Sequence, residues 1–335
     1  MIECAVVGAS GYTGLELIKM LVNHPTFRLS YLGASSESGR IETIHPSLKD
    51  IITMPVEKVS AEDIARRCSL AFLALPHKAS MGLARQLLKL GVKVVDLSAD
   101  YRLERETYEE FYCPHEDPEH LSEAVYGLIE YTREDIAKAR LVAGPGCYPT
   151  ATLLGILPFI EYIDTSIPLF VDAKSGVSGA GKKLSETTHF VHINDNFFAY
   201  NPLKHRHAPE IAEKISLFKG EKTTVNFVPH LIPATRGELV SVYAVLREDI
   251  DPMKVLEDAY SQERFIRISD RPVDVKSVAG THFCDIFASV NGRSLFVSSA
   301  IDNLLRGASS QALASANLMM GLDEGAGIPV IAYTP

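Results

Sequence analysis

Gly8-Ala9-Ser10-Gly11-Tyr12-Thr13-Gly14 is the stretch that decides the fold. It follows a short apolar run, Glu3 to Val7, and opens a helical pattern from Gly11 to Val22, so strand, glycine turn and helix come in succession. In such a turn the backbone N–H groups and the helix N-terminus face a pyrophosphate. Gly8, Ser10, Gly11, Tyr12, Thr13 and Gly14 are therefore read as a dinucleotide-phosphate loop; the plain alternative is a glycine-rich connection without a ligand.

Working outward, apolar runs at Arg28 to Gly33, Leu70 to Leu75 and Val92 to Leu97 alternate with a helical pattern from Lys78 to Lys89. That alternation predicts a Rossmann-type, doubly wound parallel sheet. A last strand near Leu141 to Ala143 runs into Gly144-Pro145-Gly146, where a domain boundary is expected. In NAD binders the second strand ends in an acid that bonds the ribose 2′-hydroxyl. Here it ends in Ala34-Ser35-Ser36, with Arg40 further on, a set suited to a 2′-phosphate despite Glu37 beside it. NADP is the expected cofactor, with Ser35, Ser36 and Arg40 around the phosphate.

The rhythm changes from Phe170 onward. Strand patterns at Thr223 to Val228, Leu239 to Leu246, His282 to Val290 and Ser294 to Ala300 predict an α+β domain on a largely antiparallel or mixed sheet. Asn291-Gly292 joins the last two as a tight hairpin, since both residues tolerate positive φ. Apolar residues at helical spacing from Leu304 to Met320 predict a long terminal helix.

The 335 residues suit two domains, and 46% hydrophobic residues can fill both cores. A balance of 33 basic against 42 acidic residues, interspersed, argues against nucleic acid and anionic membrane as partners. The first strand pattern begins at Ile2 without a basic, apolar leader, and no apolar run reaches bilayer length, so a cytoplasmic protein is expected. Five cysteines with no C-x-x-C pair argue against a disulfide framework and a zinc site. Cys4, Cys68 and Cys284 read as buried hydrophobes, and Cys113 lies in a polar loop.

Cys147 differs. It stands in Gly144-Pro145-Gly146-Cys147-Tyr148-Pro149-Thr150, before an apolar helical run from Ala151 to Ile160, and Pro149 suits a first helical turn. A thiol at a helix N-terminus favours the thiolate, the form that attacks carbon. Lys204-His205-Arg206-His207-Ala208-Pro209-Glu210-Ile211 opens another helix, where Glu210, three residues past His207, can orient that ring. His207 is the expected acid and base, with His205 at the loop end facing Lys204; a chance surface cluster is the alternative.

Two loops suit anions. Ser175 to Lys183 offers Ser178, Gly179 and Lys182 as a possible phosphate nest or else a surface loop. Asp96-Leu97-Ser98-Ala99-Asp100-Tyr101-Arg102-Leu103 ends a parallel strand, so Arg102 either clamps a substrate anion or pairs with Asp100.

Together Gly8-x-x-Gly11-Tyr-x-Gly14, Asp96-Leu-Ser98-x-Asp100-x-Arg102-Leu, Pro145-Gly-Cys147-Tyr-Pro-Thr150, Ser175-Gly-Val-Ser178-Gly-Ala-Gly181, His205-Arg-His207-x-Pro-Glu210-Ile and Asp302-Asn-Leu-Leu-x-Gly307-Ala span nearly the whole chain. In order and spacing they resemble the N-acetyl-gamma-glutamyl-phosphate reductases. The resemblance implies the two-domain fold shared with aspartate-semialdehyde and glyceraldehyde-3-phosphate dehydrogenases. An NADP-binding domain over 1–146 would be joined by a helix from 303–335, and a catalytic and oligomerisation domain would span 147–302. It further implies NADPH with Ser178, Gly179 and Asn303 near the cofactor, Cys147 as nucleophile, and Ser98, Arg102, Lys182, His205 and Arg206 near the substrate.

The implied reaction is reduction of an acyl phosphate to an aldehyde through a Cys147 thioacyl-enzyme, with no metal, by a homodimer or homotetramer in arginine biosynthesis. Relatives acting on carrier-linked aminoadipyl or glutamyl phosphate, or on aspartyl phosphate, share most of these motifs. A different class, an NADP-binding regulator that turns nothing over, would need no placed nucleophile.

Overall fold

Eight strands make the first sheet: β1 (Ile2–Val7), β2 (Phe27–Ala34), β3 (Gly39–Arg40), β4 (Pro55–Lys58), β5 (Leu70–Leu73), β6 (Lys93–Asp96), β7 (Val125–Tyr126) and β8 (Leu141–Ala143). Their order is β3-β4-β2-β1-β5-β6-β8-β7, parallel except where the short β3 runs against β4. The structure, a computed structural model, describes residues 1–34, 39–220 and 222–333, apart from the Lys219 side chain. Ser35 and Ser36 lie outside the described residues.

The central strands are buried on both faces, as a parallel sheet covered by helices requires. Val7, Leu73, Val94, Leu141 and Ala143 join Leu87, Leu88 and Tyr108 in one core. The helix expected over 78–89 begins at Met81. Lys78 instead takes a φ of 74°, and the carboxylate of Asp100 accepts the N–H groups of Lys78 and Ser80 at 2.8 and 3.1 Å, making a turn of that segment. A terminal helix, Ser310–Met319, belongs to this unit, which comprises Met1–Gly146 and Ala308–Pro329. Gln311 donates to the Gly127 carbonyl at 2.6 Å, Lys93 to that of Met319 at 2.6 Å, and Ser309 to that of Thr13 at 2.9 Å.

The second unit runs from Cys147 to Gly307 and takes in the chain from Val330. It is built on β9 (Leu169–Gly176), β10 (Phe198–Ala199), β11 (Val225–Ile232), β12 (Glu238–Val245), β13 (Ile266–Ile268), β14 (Cys284–Asn291) and β15 (Ser294–Ile301). The order β10-β11-β9-β12-β15-β14-β13 is mixed, parallel at β9–β11 and β13–β14 and antiparallel elsewhere. The expected hairpin is present: Asn291 pairs with Ser294, and Gly292 takes a φ of 55°.

One face of β12 carries Val240 and Val242, both buried, under the helix Cys147–Ile156; the other carries Tyr243, beside Phe170 of β9, both exposed. The long helix expected from Leu304 to Met320 is interrupted. Its first turn, Leu305–Ser309, is a π-helix, because the Asp302 carboxylate accepts the N–H groups of Leu304 and Leu305 and the Asp302 carbonyl accepts that of Gly307. Among the described residues no helix is long and apolar enough to cross a membrane.

Candidate active site

Cys147 is the first residue of a helix whose remaining residues, Tyr148 to Ile156, are all buried. The helix lies on the sheet: Ser299 of β15 donates to the Ala151 carbonyl at 2.6 Å, and Gly155 faces Val297. At its head Gly307 comes so close that a Cβ there would stand 2.6 Å from the Cβ of Cys147. Only a glycine admits this approach, which fixes the Cys147 backbone between helix and turn.

Tyr148, the residue after Cys147, is in contact with the two histidines. Its hydroxyl donates to the His230 carbonyl at 3.3 Å and accepts from Tyr200 at 3.2 Å. The rings of His205 and His207 each lie 5.8 Å from the Tyr148 ring, edge to face, and 4.8 Å from each other. His205 is not at an open loop end facing Lys204, as expected. Its ring packs 5.5 Å from Tyr200 and 5.4 Å from Phe227, because its Nδ1 accepts the backbone N–H of His207 at 3.1 Å and turns the ring inward. That bond keeps Nδ1 unprotonated, and burial, aided by the Arg206 charge, lowers the ring to about 4. His205 is thus neutral at physiological pH. His207 opens the helix His207–Lys219, and Glu210, in its first turn, is buried. Arg206 is exposed.

Glu238 went unnoticed in the sequence. It begins β12 and is 0% exposed; burial, with the nearby Asp302 carboxylate, pushes it up to about 8, while the Cys147 side chain acts in the opposite sense. A signal existed: period-two alternation places Glu238 in the apolar row of Val240 and Val242.

Asn303 accepts the Gly237 N–H on Oδ1 at 2.9 Å and donates from Nδ2 to the Ser178 hydroxyl at 3.0 Å, tying two loops together. Gly179 lies under that amide, so a Cβ there would reach within 2.8 Å of the Ser175 hydroxyl. The expected open phosphate nest is corrected here. The N–H groups of Gly176, Val177, Ser178 and Gly181 close on the carbonyls of Gly237, Ala234, Thr235 and Ser178, since β9 continues into a 3-10 turn, Val177–Ala180. Lys182 remains exposed beyond that turn.

In the first unit Gly8 takes a φ of 92° against the Ala74 backbone, and a Cβ on Gly14 would strike the Gly8 carbonyl. Gly11, at the N-cap of the helix Tyr12–Val22, brings no side-chain cap to its first turn. Helix N-terminal N–H groups beside a close-packed glycine turn fit a pyrophosphate. Thr13 lies in that first turn, preceded by Ser10 and by Tyr12, which is exposed. Arg40 is exposed and donates from Nε to Glu42 at 2.6 Å.

Arg102 is held by main-chain carbonyls. It is buried, and Nε and Nη2 donate to the carbonyls of Gly144 and Leu97 at 2.6 and 2.8 Å, stapling two strand ends. Asp100 accepts from Tyr108 at 2.8 Å besides its two N–H donors. Ser98 is likewise engaged, donating to Asp96 at 2.6 Å and accepting the Asp100 N–H at 3.1 Å. The structure therefore groups Cys147, Tyr148, His205, His207 and Glu238 in one unit and spends Ser98 and part of Arg102 on structure in the other.

Residues 3–139 match a semialdehyde dehydrogenase, NAD binding domain family, and residues 147–303 a semialdehyde dehydrogenase, dimerisation domain family. An N-acetyl-gamma-glutamyl-phosphate reductase of Sulfurovum sp. is 71% identical over 100% of both chains, and one of Wolinella succinogenes 61% identical over 100% of this chain and 99% of its own. Among solved structures, aspartate semialdehyde dehydrogenase II from Vibrio cholerae aligns with a TM-score of 0.73 at 18% identity, covering 96% of this chain and 98% of that one. That likeness shows the shared fold. The identity along the full length settles the family: this chain belongs to the N-acetyl-gamma-glutamyl-phosphate reductases.

Proposed function

We propose that the chain reduces N-acetyl-gamma-glutamyl phosphate to N-acetylglutamate 5-semialdehyde and phosphate, in arginine biosynthesis in the cytoplasm, with NADPH as cofactor. The observation that carries this reading is the placing of Cys147 at the head of a buried helix whose next residue, Tyr148, is in ring contact with His205 and His207. NADPH, when bound, supplies the hydride. Gly8, Ser10, Gly11, Tyr12, Thr13 and Gly14 would hold its pyrophosphate, Arg40 with Ser35 and Ser36 its 2′-phosphate, and Ser178, Gly179 and Asn303 the region near its reactive end.

The sulfur of Cys147 attacks the acyl carbon and phosphate leaves, so one difficult substitution becomes two easier steps. His207, oriented by Glu210, holds the proton that the carbonyl oxygen needs, while His205, Arg206 and Lys182 bind the substrate and the helix N–H groups after Cys147 steady the oxyanion. Ser98 and Arg102 would also bind the substrate, from the loop they help to hold. In this reading 1–146 with the terminal helix binds NADPH, and 147–302 carries the chemistry and forms a homodimer or homotetramer. The exposed row of Phe170 and Tyr243 on the second sheet favours such self-association.

Absorbance of NADPH followed with N-acetylglutamyl, aspartyl and carrier-linked aminoadipyl phosphates tests the reading. A kcat/KM for the N-acetylglutamyl substrate at least tenfold above the others supports it. A preference for another acyl phosphate replaces the substrate, and no turnover with any of them leaves a cofactor-binding regulator.

A further inference from the structure

Glu238 is a carboxyl group in an apolar row. Its partners across the sheet are Ser175 on β9 and Ile301 on β15, all facing the side covered by the Cys147 helix. The Ile301 Cδ1 would lie 3.4 Å from a Cβ on Gly307, the same hypothetical atom that would stand 2.6 Å from the Cβ of Cys147. Glu238 thus neighbours the ring of contacts that closes on the nucleophile. Negative charge at Glu238 and at Cys147 both oppose ionisation of the Tyr148 and Tyr200 phenols, so four side chains form one cluster, with Glu238 and Tyr148 buried and Cys147 and Tyr200 half-buried.

Apart from the Cys147 side chain, neither oxygen of Glu238 meets a hydrogen-bond donor among the described residues. A buried carboxyl group so sparsely partnered costs stability, and an apolar residue of similar size would serve packing better. Structure alone gives no reason to keep it. Beside a thiol that must lose and regain a proton, a carboxyl group that exchanges protons near neutral pH has one.

We propose that Glu238 is the proton partner of Cys147, its ionised form accepting the thiol proton as sulfur attacks the substrate and returning it as sulfur leaves. This rests on Cys147 being the nucleophile. In the first step the S–H bond breaks and an O–H bond forms on Glu238. The sulfur electron pair makes the C–S bond, and the C–O bond to phosphate breaks with its pair leaving on phosphate. When the C–S bond later breaks, sulfur keeps that pair and Glu238 protonates it. His207 is then left to serve the substrate oxygen.

The test is the pH dependence of Cys147 alkylation by iodoacetamide in the free enzyme, read on the Cys147 peptide by mass spectrometry from pH 5 to 10. A pair that shares a proton titrates in two macroscopic steps, so the wild type should show two inflections and Glu238→Gln one. Glu238→Gln should also lower kcat at pH 7 by about 10²-fold with KM within about twofold, and Glu238→Asp should recover part of that loss. Identical alkylation profiles for wild type and Glu238→Gln overturn the proposal. Should Glu238→Gln not fold, the same comparison is made on Glu238→Ile, which suits the apolar row. Cys147→Ser separates the two ideas: if it remains active the nucleophile itself is wrong, whereas an inactive Cys147→Ser with an unchanged Glu238→Gln profile removes Glu238 alone.

Discussion

His205 accepts the backbone N–H of His207 on Nδ1 at 3.1 Å, so the first histidine of the pair shapes the helix start on which the second one sits. This divides their work. His207→Asn should lower kcat by about 10²-fold, through loss of a proton donor, with little change in cofactor affinity. Glu210→Gln should cause a smaller loss of the same kind. His205→Asn should act mainly on KM. Single-turnover rates on the three variants check this, and a His205→Asn enzyme slower than His207→Asn would reverse the roles.

Gly307 faces Cys147 where a Cβ would stand 2.6 Å from the cysteine's own. Gly307→Ala must push the helix head or the π-turn aside, at a cost of about 1–3 kcal/mol for overpacking. The expected outcome is a lowered Tm and a fall in kcat of about tenfold or more, with NADPH affinity unchanged. Wild-type kcat in this variant would mean the contact does not position the thiol.

The raised ionisation of Glu238 has a sign in stability. In the unfolded chain the group ionises near its ordinary value of 4.5, whereas the folded chain holds the proton until about 8. Between these values the unfolded state binds fewer protons, so wild-type stability falls as pH rises and levels off above about 8. Glu238→Gln should remove that slope. Chemical denaturation at pH 5, 7 and 9 should show the variant gaining on the wild type as pH rises; parallel curves would contradict the assignment.

The glycine turn, the strand rhythm and the Asn291-Gly292 hairpin were legible because each is a local rule: φ preference, period and chain order. Cys147 was legible for the same reason, as a thiol at the start of an apolar helix. The carbonyls of Leu97 and Gly144 that fold over Arg102 were not legible, because residue type and position at a strand end do not encode them. The closed form of the 175–183 loop was not legible, since the N–H groups of Gly176, Val177 and Ser178 meet carbonyls from 234–237, about sixty positions away. Glu238 hid because a glutamate at a strand start reads as an exposed end, and only pairing on both sides buries it.

NADPH should be favoured over NADH by about tenfold or more in kcat/KM, because no acid ends β2 and a cation stands nearby. Arg40 is bound to Glu42 through Nε, so Arg40→Ala should reduce the preference by weakening the hold on a 2′-phosphate while leaving NADH kinetics nearly unchanged. Equal kcat/KM for the two cofactors in the wild type would sink the assignment.

The central claim is that Cys147 carries the acyl group. Mixing the enzyme with N-acetyl-gamma-glutamyl phosphate in the absence of NADPH should trap it, and mass spectrometry of the quenched protein should find one N-acetylglutamyl group on the Cys147 peptide, lost on adding NADPH as aldehyde appears. Cys147→Ser should show neither adduct nor aldehyde, while remaining folded and able to bind NADPH. An adduct on another residue, or aldehyde formed by Cys147→Ser at a near-normal rate, would contradict the account.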